Sequence, residues 1–68
     1  MKITRKTEEL PPGTIVLLPD EEILRIEKLI DPIEKIYRVQ FLEDDGGDYV
    51  EVGGVRFITL EDMIGAEY

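Results

Sequence analysis

The sequence predicts an all-β domain, a small barrel of five short strands that ends in a short helical turn. Short runs that alternate apolar and polar residues, or are rich in β-branched residues, recur along the chain. Proline and glycine residues separate these runs as turn formers do. With 68 residues there is room for one domain. We expect residues 1–9 to form a flexible N-terminal arm and residues 10–68 to form the barrel.

The first strand is predicted over residues 14–18, a β-branched run that lies between Gly13 and Pro19. The preceding residues 10–13 read Leu-Pro-Pro-Gly, and they interrupt regular structure because proline fixes φ and glycine permits a tight turn. The apolar residues of this strand point to both sides, which is typical of a strand inside a small closed barrel.

Residues 20–31 fit two interpretations. As a helix, the segment would begin at Asp20 as N-cap, end before Pro32 and place its apolar side chains on one stripe. As a strand, it would lie between a turn at residues 19–20 and a second turn at residues 31–32. The turn signals favour the strand. The alternative is an α+β fold with this helix on a three- to four-stranded antiparallel sheet.

Residues 36–42 predict a strand with one packed and one wet face. Tyr37, Val39 and Phe41 alternate with Arg38 and Gln40. The acidic, glycine-containing residues 43–48 that follow predict a loop.

Residues 49–58 predict a hairpin that turns at Gly53 and Gly54. A type I′ turn needs φ > 0 at both central residues, which glycine adopts without a Cβ clash. In this register Glu51 pairs with Arg56 on a solvent-facing side, where Tyr49 lies beside Ile58. The face predicted to be buried carries Val50, Val52, Val55 and Phe57.

The C-terminal residues predict a short capped helix. Thr59 is a suitable N-cap, and Asp62 follows at the third helical position. Ile58 and Met63 have the spacing of a hydrophobic staple, and Gly65 is placed to end the helix.

This order of elements resembles that of the SH3-like small β-barrels, which include SH3, Tudor and KOW domains and many small phage and plasmid proteins. The resemblance covers residues 13–64, and residues 13–16, Gly-Thr-Ile-Val, are similar to the glycine-led first strand of a KOW-type barrel. Residues 19–22 lack the glycine usual in the next turn, and the chain has no tryptophan for a proline-rich-peptide groove. The resemblance therefore implies a fold, and the known ligands of these families do not carry over.

Composition excludes most enzyme chemistry. The chain has no serine, cysteine or histidine, so the usual acyl-transfer nucleophiles and the usual general base are absent, and we expect no enzyme and no cofactor. The adjacent carboxylates Asp44, Asp45 and Asp48 do not have the spacing of a calcium loop, so we expect no metal site. The net charge of −8 disfavours binding to nucleic acid. No stretch is long and apolar enough to span a membrane, and a cytoplasmic location is expected.

We therefore expect a protein-interaction module, an adaptor or accessory subunit that binds another protein through a strand edge or the outer face of the 49–58 hairpin. The sequence leaves homo-oligomerisation open. The residues expected to bind a protein are Tyr49, Glu51, Arg56, Ile58 and Arg38. The alternative is an inhibitor, phage- or plasmid-encoded, whose acidic surface imitates nucleic acid. That surface would be carried by Glu43, Asp44, Asp45 and Asp48, with Glu51 beside them.

Overall fold

The computed structural model describes all 68 residues and contains one open antiparallel sheet of four strands. The strands are β1 (Ile15–Leu17), β2 (Ile23–Asp31), β3 (Ile36–Asp45) and β4 (Asp48–Thr59), and a 3₁₀ turn (Glu61–Met63) follows them. Each strand pairs with its neighbour in sequence, giving the order β1-β2-β3-β4. The prediction of a mostly β fold is confirmed, and the segment 20–31 is a strand in place of the alternative helix.

Both turns predicted around β2 are present, and an aspartate side chain stabilises each. The Asp20 carboxylate accepts a hydrogen bond from the Glu22 amide at 3.1 Å. The Asp31 carboxylate accepts bonds from the Ile33 amide at 2.9 Å and the Glu34 amide at 3.1 Å. Aspartate side chains that bond the backbone two residues on stabilise turns of this kind.

The predicted hairpin turn at Gly53 and Gly54 is wrong. Between β3 and β4 the chain reverses only at Gly46 and Gly47, inside the predicted loop 43–48, and the rest of that loop belongs to the strands. The φ values of the two glycines are +63° and +97°, and the flanking Asp45 and Asp48 are paired. The positive φ at two successive glycines that a type I′ turn requires is met here. Reversal at this point lets β4 pair along all of β3, whereas a turn at Gly53 would leave strands of only a few residues.

Residues 49–58 therefore belong to one continuous strand, and the predicted burial of its valines and Phe57 is also wrong. Phe57 is 62% exposed, Val55 50% and Val50 45%, while Val52 is half-buried. These side chains were expected to meet across a hairpin. In the structure they do not share one face, because Val55 and Phe57 pair with Gln40 and Arg38, whereas Val50 pairs with Glu43 on the opposite face.

The core lies on one face of the sheet, and we call this face the inner face. The residues that pack there and are buried are Ile3, Leu10, Val16, Leu24, Ile26, Tyr37, Val39, Leu60, Met63 and Ala66. Tyr37 also accepts, through its hydroxyl, a hydrogen bond from the Leu10 amide at 3.1 Å. Phe41, predicted for the core with Tyr37 and Val39, is half-buried and packs against the cluster.

The N-terminal segment is tied to the C-terminal residues, in contrast to the expected solvated arm. The Ile3 amide donates to the Ala66 carbonyl at 2.8 Å, and the Ile3 side chain is 1% exposed. Glu67 and Leu17 of β1 exchange hydrogen bonds of 2.8 and 2.9 Å in an antiparallel bridge. The two chain ends thus close the core beside β1.

The C-terminal turn is capped as predicted, although it is a single 3₁₀ turn. The Asp62 amide donates to the Thr59 hydroxyl at 3.2 Å, and the Thr59 amide donates to the Asp62 carboxylate at 3.3 Å. This reciprocal pair is the hydrogen-bond pattern of a capping box. Met63 is buried in the core, and Gly65 follows the turn with φ +92°.

Candidate functional site

The long free edge of β4 is the most distinctive surface feature of the sheet. β4 extends over Asp48–Thr59 and pairs with β3 on one side only. An edge strand presents unpaired N–H and C=O groups, which can pair with another strand unless the edge is short or blocked. At twelve residues, β4 is long for an edge strand.

Exposed apolar side chains are concentrated on this strand, and we call Tyr49, Val50, Val55 and Phe57 the β4 patch. Tyr49 is 52% exposed, as the sequence predicted for an outer-face aromatic. The direct partners of Tyr49, Val55 and Phe57 on β3 are Asp44, Gln40 and Arg38 in that order. Because directly paired residues share a face, Tyr49, Val55 and Phe57 lie together on the face opposite the core, the outer face.

A bulge at Gly53 and Gly54 divides β4 into two straight segments. Gln40 pairs with Val55 and Leu42 pairs with Glu51, so the residues between Glu51 and Val55 oppose a single residue of β3. Gly53 has φ +67°, which glycine adopts readily. Gly53 and Gly54 therefore form a bulge within one continuous strand and do not reverse the chain.

The buried Gln40 side chain stabilises this bulge. Its amide nitrogen donates to the Val52 carbonyl at 3.1 Å and to the Phe41 carbonyl at 3.1 Å. Gln40 is 6% exposed and is the only buried polar residue. The alternation of residues 36–42 predicts a wet face for Gln40, and that prediction is wrong because the sequence pattern does not reveal the bulge that needs the amide.

An ionic group lies beside the β4 patch on the outer face. The Arg25 guanidinium donates to the Glu27 carboxylate at 2.9 Å and to the Glu51 carboxylate at 2.5 Å. The bond from Arg25 lowers the pKa of Glu27 below its usual range. Glu51 is thus held by Arg25, and the predicted pairing of Glu51 with Arg56 does not form because the two residues point to opposite faces of β4.

The structure separates the other predicted binding residues. Arg56 points to the inner face, where its guanidinium lies 5.0 Å from the centroid of the Phe41 ring. Ile58 is half-buried against the core, and so is not part of an exposed pair with Tyr49. Arg38 is exposed on the outer face beside Phe57. The basic side chains do not gather on one face, since Arg25 and Arg38 lie opposite Arg56.

The predicted acidic residues do come together, at the tip of the β3–β4 hairpin. Asp45 and Asp48 are direct partners, and Asp44 accepts a hydrogen bond from the Gly47 amide at 3.0 Å. Glu43 is exposed next to them. No group of three or more carboxylates in the structure is arranged to hold a metal ion.

A groove beside this tip has an apolar floor and an acidic rim. Its volume is about 430 Å³, and it forms because β3 continues past the first residue of β2. The lining residues are Glu21, Glu22, Ile23, Phe41, Leu42, Glu43, Asp44 and Val52. A hydrogen bond that the protonated Glu22 carboxyl donates to Asp20 raises the pKa of Glu22, and the nearby negative charge of Asp20 adds to the effect.

The structure contains no helix with the length and apolar character needed to cross a membrane. Comparison with known proteins found no matching family model, no matching curated protein and no matching solved structure.

Proposed function

We propose that this chain is a non-enzymatic protein-interaction module, an adaptor or accessory subunit in the cytoplasm, that binds a partner protein along the free edge of β4. A segment of the partner pairs with the main chain of β4, and its side chains cover the β4 patch. Main-chain pairing supplies affinity in this mode, and side-chain contacts on alternate positions supply specificity.

One observation carries the proposal, the coincidence of a free twelve-residue edge with the β4 patch. Scattered exposed apolar residues are ordinary on a protein surface, but Phe57 and Val55 are at least half exposed and lie two positions apart on one face. Arg38 and Glu51 border them, as polar residues surround the apolar centre of many interfaces.

The finer fold assignment, an SH3-like small barrel, is part of the proposal. It is supported by the meander of four strands, the 3₁₀ turn after β4 and the return of Glu67 to pair with Leu17 of β1. In this interpretation the C-terminal residues are a very short fifth strand. The open edge of β4 is then the place where the barrel remains unclosed.

A second candidate function is imitation of nucleic acid by the acidic hairpin tip. The observation in its favour is that Glu43, Asp44, Asp45 and Asp48 are all exposed around one turn with no basic residue among them. Such a surface fits the basic groove of a protein that handles nucleic acid, and salt would weaken this binding steeply. Salt would not weaken binding through the β4 patch in this way, because that contact is largely apolar.

The test is affinity capture at low and high ionic strength with matched variants. We expect Tyr49→Ala and Phe57→Ala to fold normally, because both side chains are more than half exposed, and to reduce recovery of the partner at least tenfold. Ile33→Ala is the control, since Ile33 is 88% exposed on the turn between β2 and β3. Equal recovery by all variants would reject the β4 edge. Loss of recovery at high salt alone would favour the acidic tip.

A further inference from the structure

The Gly53 bulge lies near the middle of β4, between two segments that pair regularly with β3. Residues 48–51 and residues 55–59 each keep regular pairing with β3, and the Gly53 bulge lies between them. A straight strand from an unrelated protein would lose pairing where it met this bulge. A second β4 that runs antiparallel to the first would place its regular segments beside those of the first strand. The two bulges would then lie opposite each other.

We propose that the partner at this edge is a second copy of the chain, paired β4 to β4 about a twofold axis that passes near Gly53. This inference rests on the proposed function of the β4 edge and names its occupant. Closed twofold pairing is the commonest symmetry of soluble oligomers, and each residue pair then occurs twice.

Two side-chain pairs of β4 favour this register, one on each face. On the outer face, Tyr49 of one copy lies opposite Phe57 of the second copy, and aromatic pairs stabilise neighbouring antiparallel strands. On the inner face, Asp48 of one copy is diagonal to Arg56 of the second copy, an opposite-charge pair within reach of long side chains. Each residue of the β4 patch then has a directly opposed neighbour in the second copy, since Val50 lies opposite Arg56 and Val55 lies opposite Glu51.

The net charge opposes this association and makes its strength depend on salt concentration. Each copy carries a charge of −8, so two copies repel each other at low ionic strength. Salt screens this repulsion, with a Debye length of about 10 Å at 0.1 M. The dimer should therefore tighten as salt is added, whereas binding of a basic partner would weaken. An edge pair of this size buries on the order of 1,000 Å², so we expect a weak dimer.

Sedimentation velocity across a concentration series tests the proposal. We expect the 7.8 kDa chain to give a species of twice that mass, with a dissociation constant that falls at least tenfold between low and high salt. Phe57→Lys should remain monomeric, while the control Ile33→Lys should associate like the unmodified chain. A chain that is monomeric at millimolar concentration in high salt overturns the proposal, as does a dimer unaffected by Phe57→Lys.

A cysteine experiment tests the register independently, because the chain has no cysteine of its own. Tyr49→Cys and Phe57→Cys are prepared separately, mixed and oxidised. The proposed register predicts a clear excess of the mixed disulfide over both symmetric ones, since directly opposed Cβ atoms approach disulfide distance. The control mixture of Tyr49→Cys with Ile33→Cys should give statistical proportions. Statistical proportions in both mixtures contradict the register.

The two proposals fail in different ways. If the chain stays monomeric but Phe57→Ala still abolishes capture of another protein, the second-copy inference is wrong and the proposed function stands. If the chain dimerises as described but the β4 variants capture another protein normally, the edge serves self-association, and the proposed partner surface is wrong.

Discussion

Gln40 is the residue on which the shape of β4 depends. Its side chain is nearly fully buried, and it donates hydrogen bonds to the Val52 and Phe41 carbonyls at the bulge. A buried carbonyl without a donor is costly, so the amide allows the strand to bend without leaving backbone groups unpaired. The single buried polar residue thus lies at the bulge of β4.

Replacement of Gln40 by leucine should lower the free energy of unfolding by about 1–3 kcal/mol, because it removes the donor and leaves the bulge carbonyls unpaired. Urea denaturation measures this change. Arg38→Ala, at an exposed position two residues away on the same face, should change stability by less than about 0.5 kcal/mol. Equal effects of the two substitutions would mean that Gln40 does not support the bulge.

At the scale of the elements, the two glycine pairs have different tasks. Gly46 and Gly47 both have positive φ and reverse the chain. Of the second pair only Gly53 has positive φ, and the strand continues through it. A type I′ turn at Gly53 and Gly54 would need positive φ at both positions. Alanine substitution at each position therefore distinguishes the observed bulge from the predicted hairpin turn.

Gly53→Ala should destabilise the chain by about 1–2 kcal/mol, because an L-residue at this φ meets the steric penalty of the left-handed region. Gly54→Ala should be neutral or slightly stabilising, since its φ is ordinary and no atom lies within 4 Å of the added Cβ. Thermal unfolding of both variants measures the difference. Comparable destabilisation by both substitutions would contradict the bulge and support the predicted hairpin turn.

The sequence predicted the elements better than their contacts. The strand at residues 36–42, the turns at Pro19 and Asp31 and the cap at Thr59 are local patterns, and each is present. The sequence predicts one turn too many, because both glycine pairs meet the local rule for a type I′ turn. Whether the second pair reverses the chain depends on how much of β3 the following residues can pair with, which is a property of the whole sheet.

That error also altered the predicted binding surface. Tyr49 is exposed as the sequence predicts, but it does not lie beside Ile58, because that neighbour depended on the hairpin register. The acidic residues gather around a turn as predicted, since their grouping is local in sequence. Val55 and Phe57 were assigned to a core because a hairpin would have covered them. On a continuous edge strand they are exposed, and they became the centre of the candidate site only once the pairing was known.

At the scale of the whole molecule, the two chain ends complete a core that the sheet alone cannot close. Ile3 and Ala66 are both buried, and their segments pair with each other and with Leu17. A chain of 68 residues buries only about 60% of its unfolded surface, so each terminal contact has a large share of the stability. The sequence could not show this, because residues 1–9 contain a single isoleucine without periodicity.

Ile3→Ala should lower the free energy of unfolding by about 2–4 kcal/mol, a large part of the total for a domain of this size. The substitution removes a fully buried side chain from the core. Denaturant titration measures the loss, and Ile33→Ala serves as the exposed control. If the first nine residues were a solvated arm, Ile3→Ala and Ile33→Ala would behave alike.

Residue-resolved amide hydrogen exchange on the dilute chain tests the free edge of β4 most directly. In an antiparallel edge strand, successive residues direct their amides alternately toward the neighbouring strand and toward solvent. We therefore predict protection at every second amide within residues 48–51 and 55–59, and rapid exchange at the alternate amides of the same two segments. Uniform protection along both segments would contradict the free edge. Absence of protection throughout residues 48–59 would contradict the continuous strand.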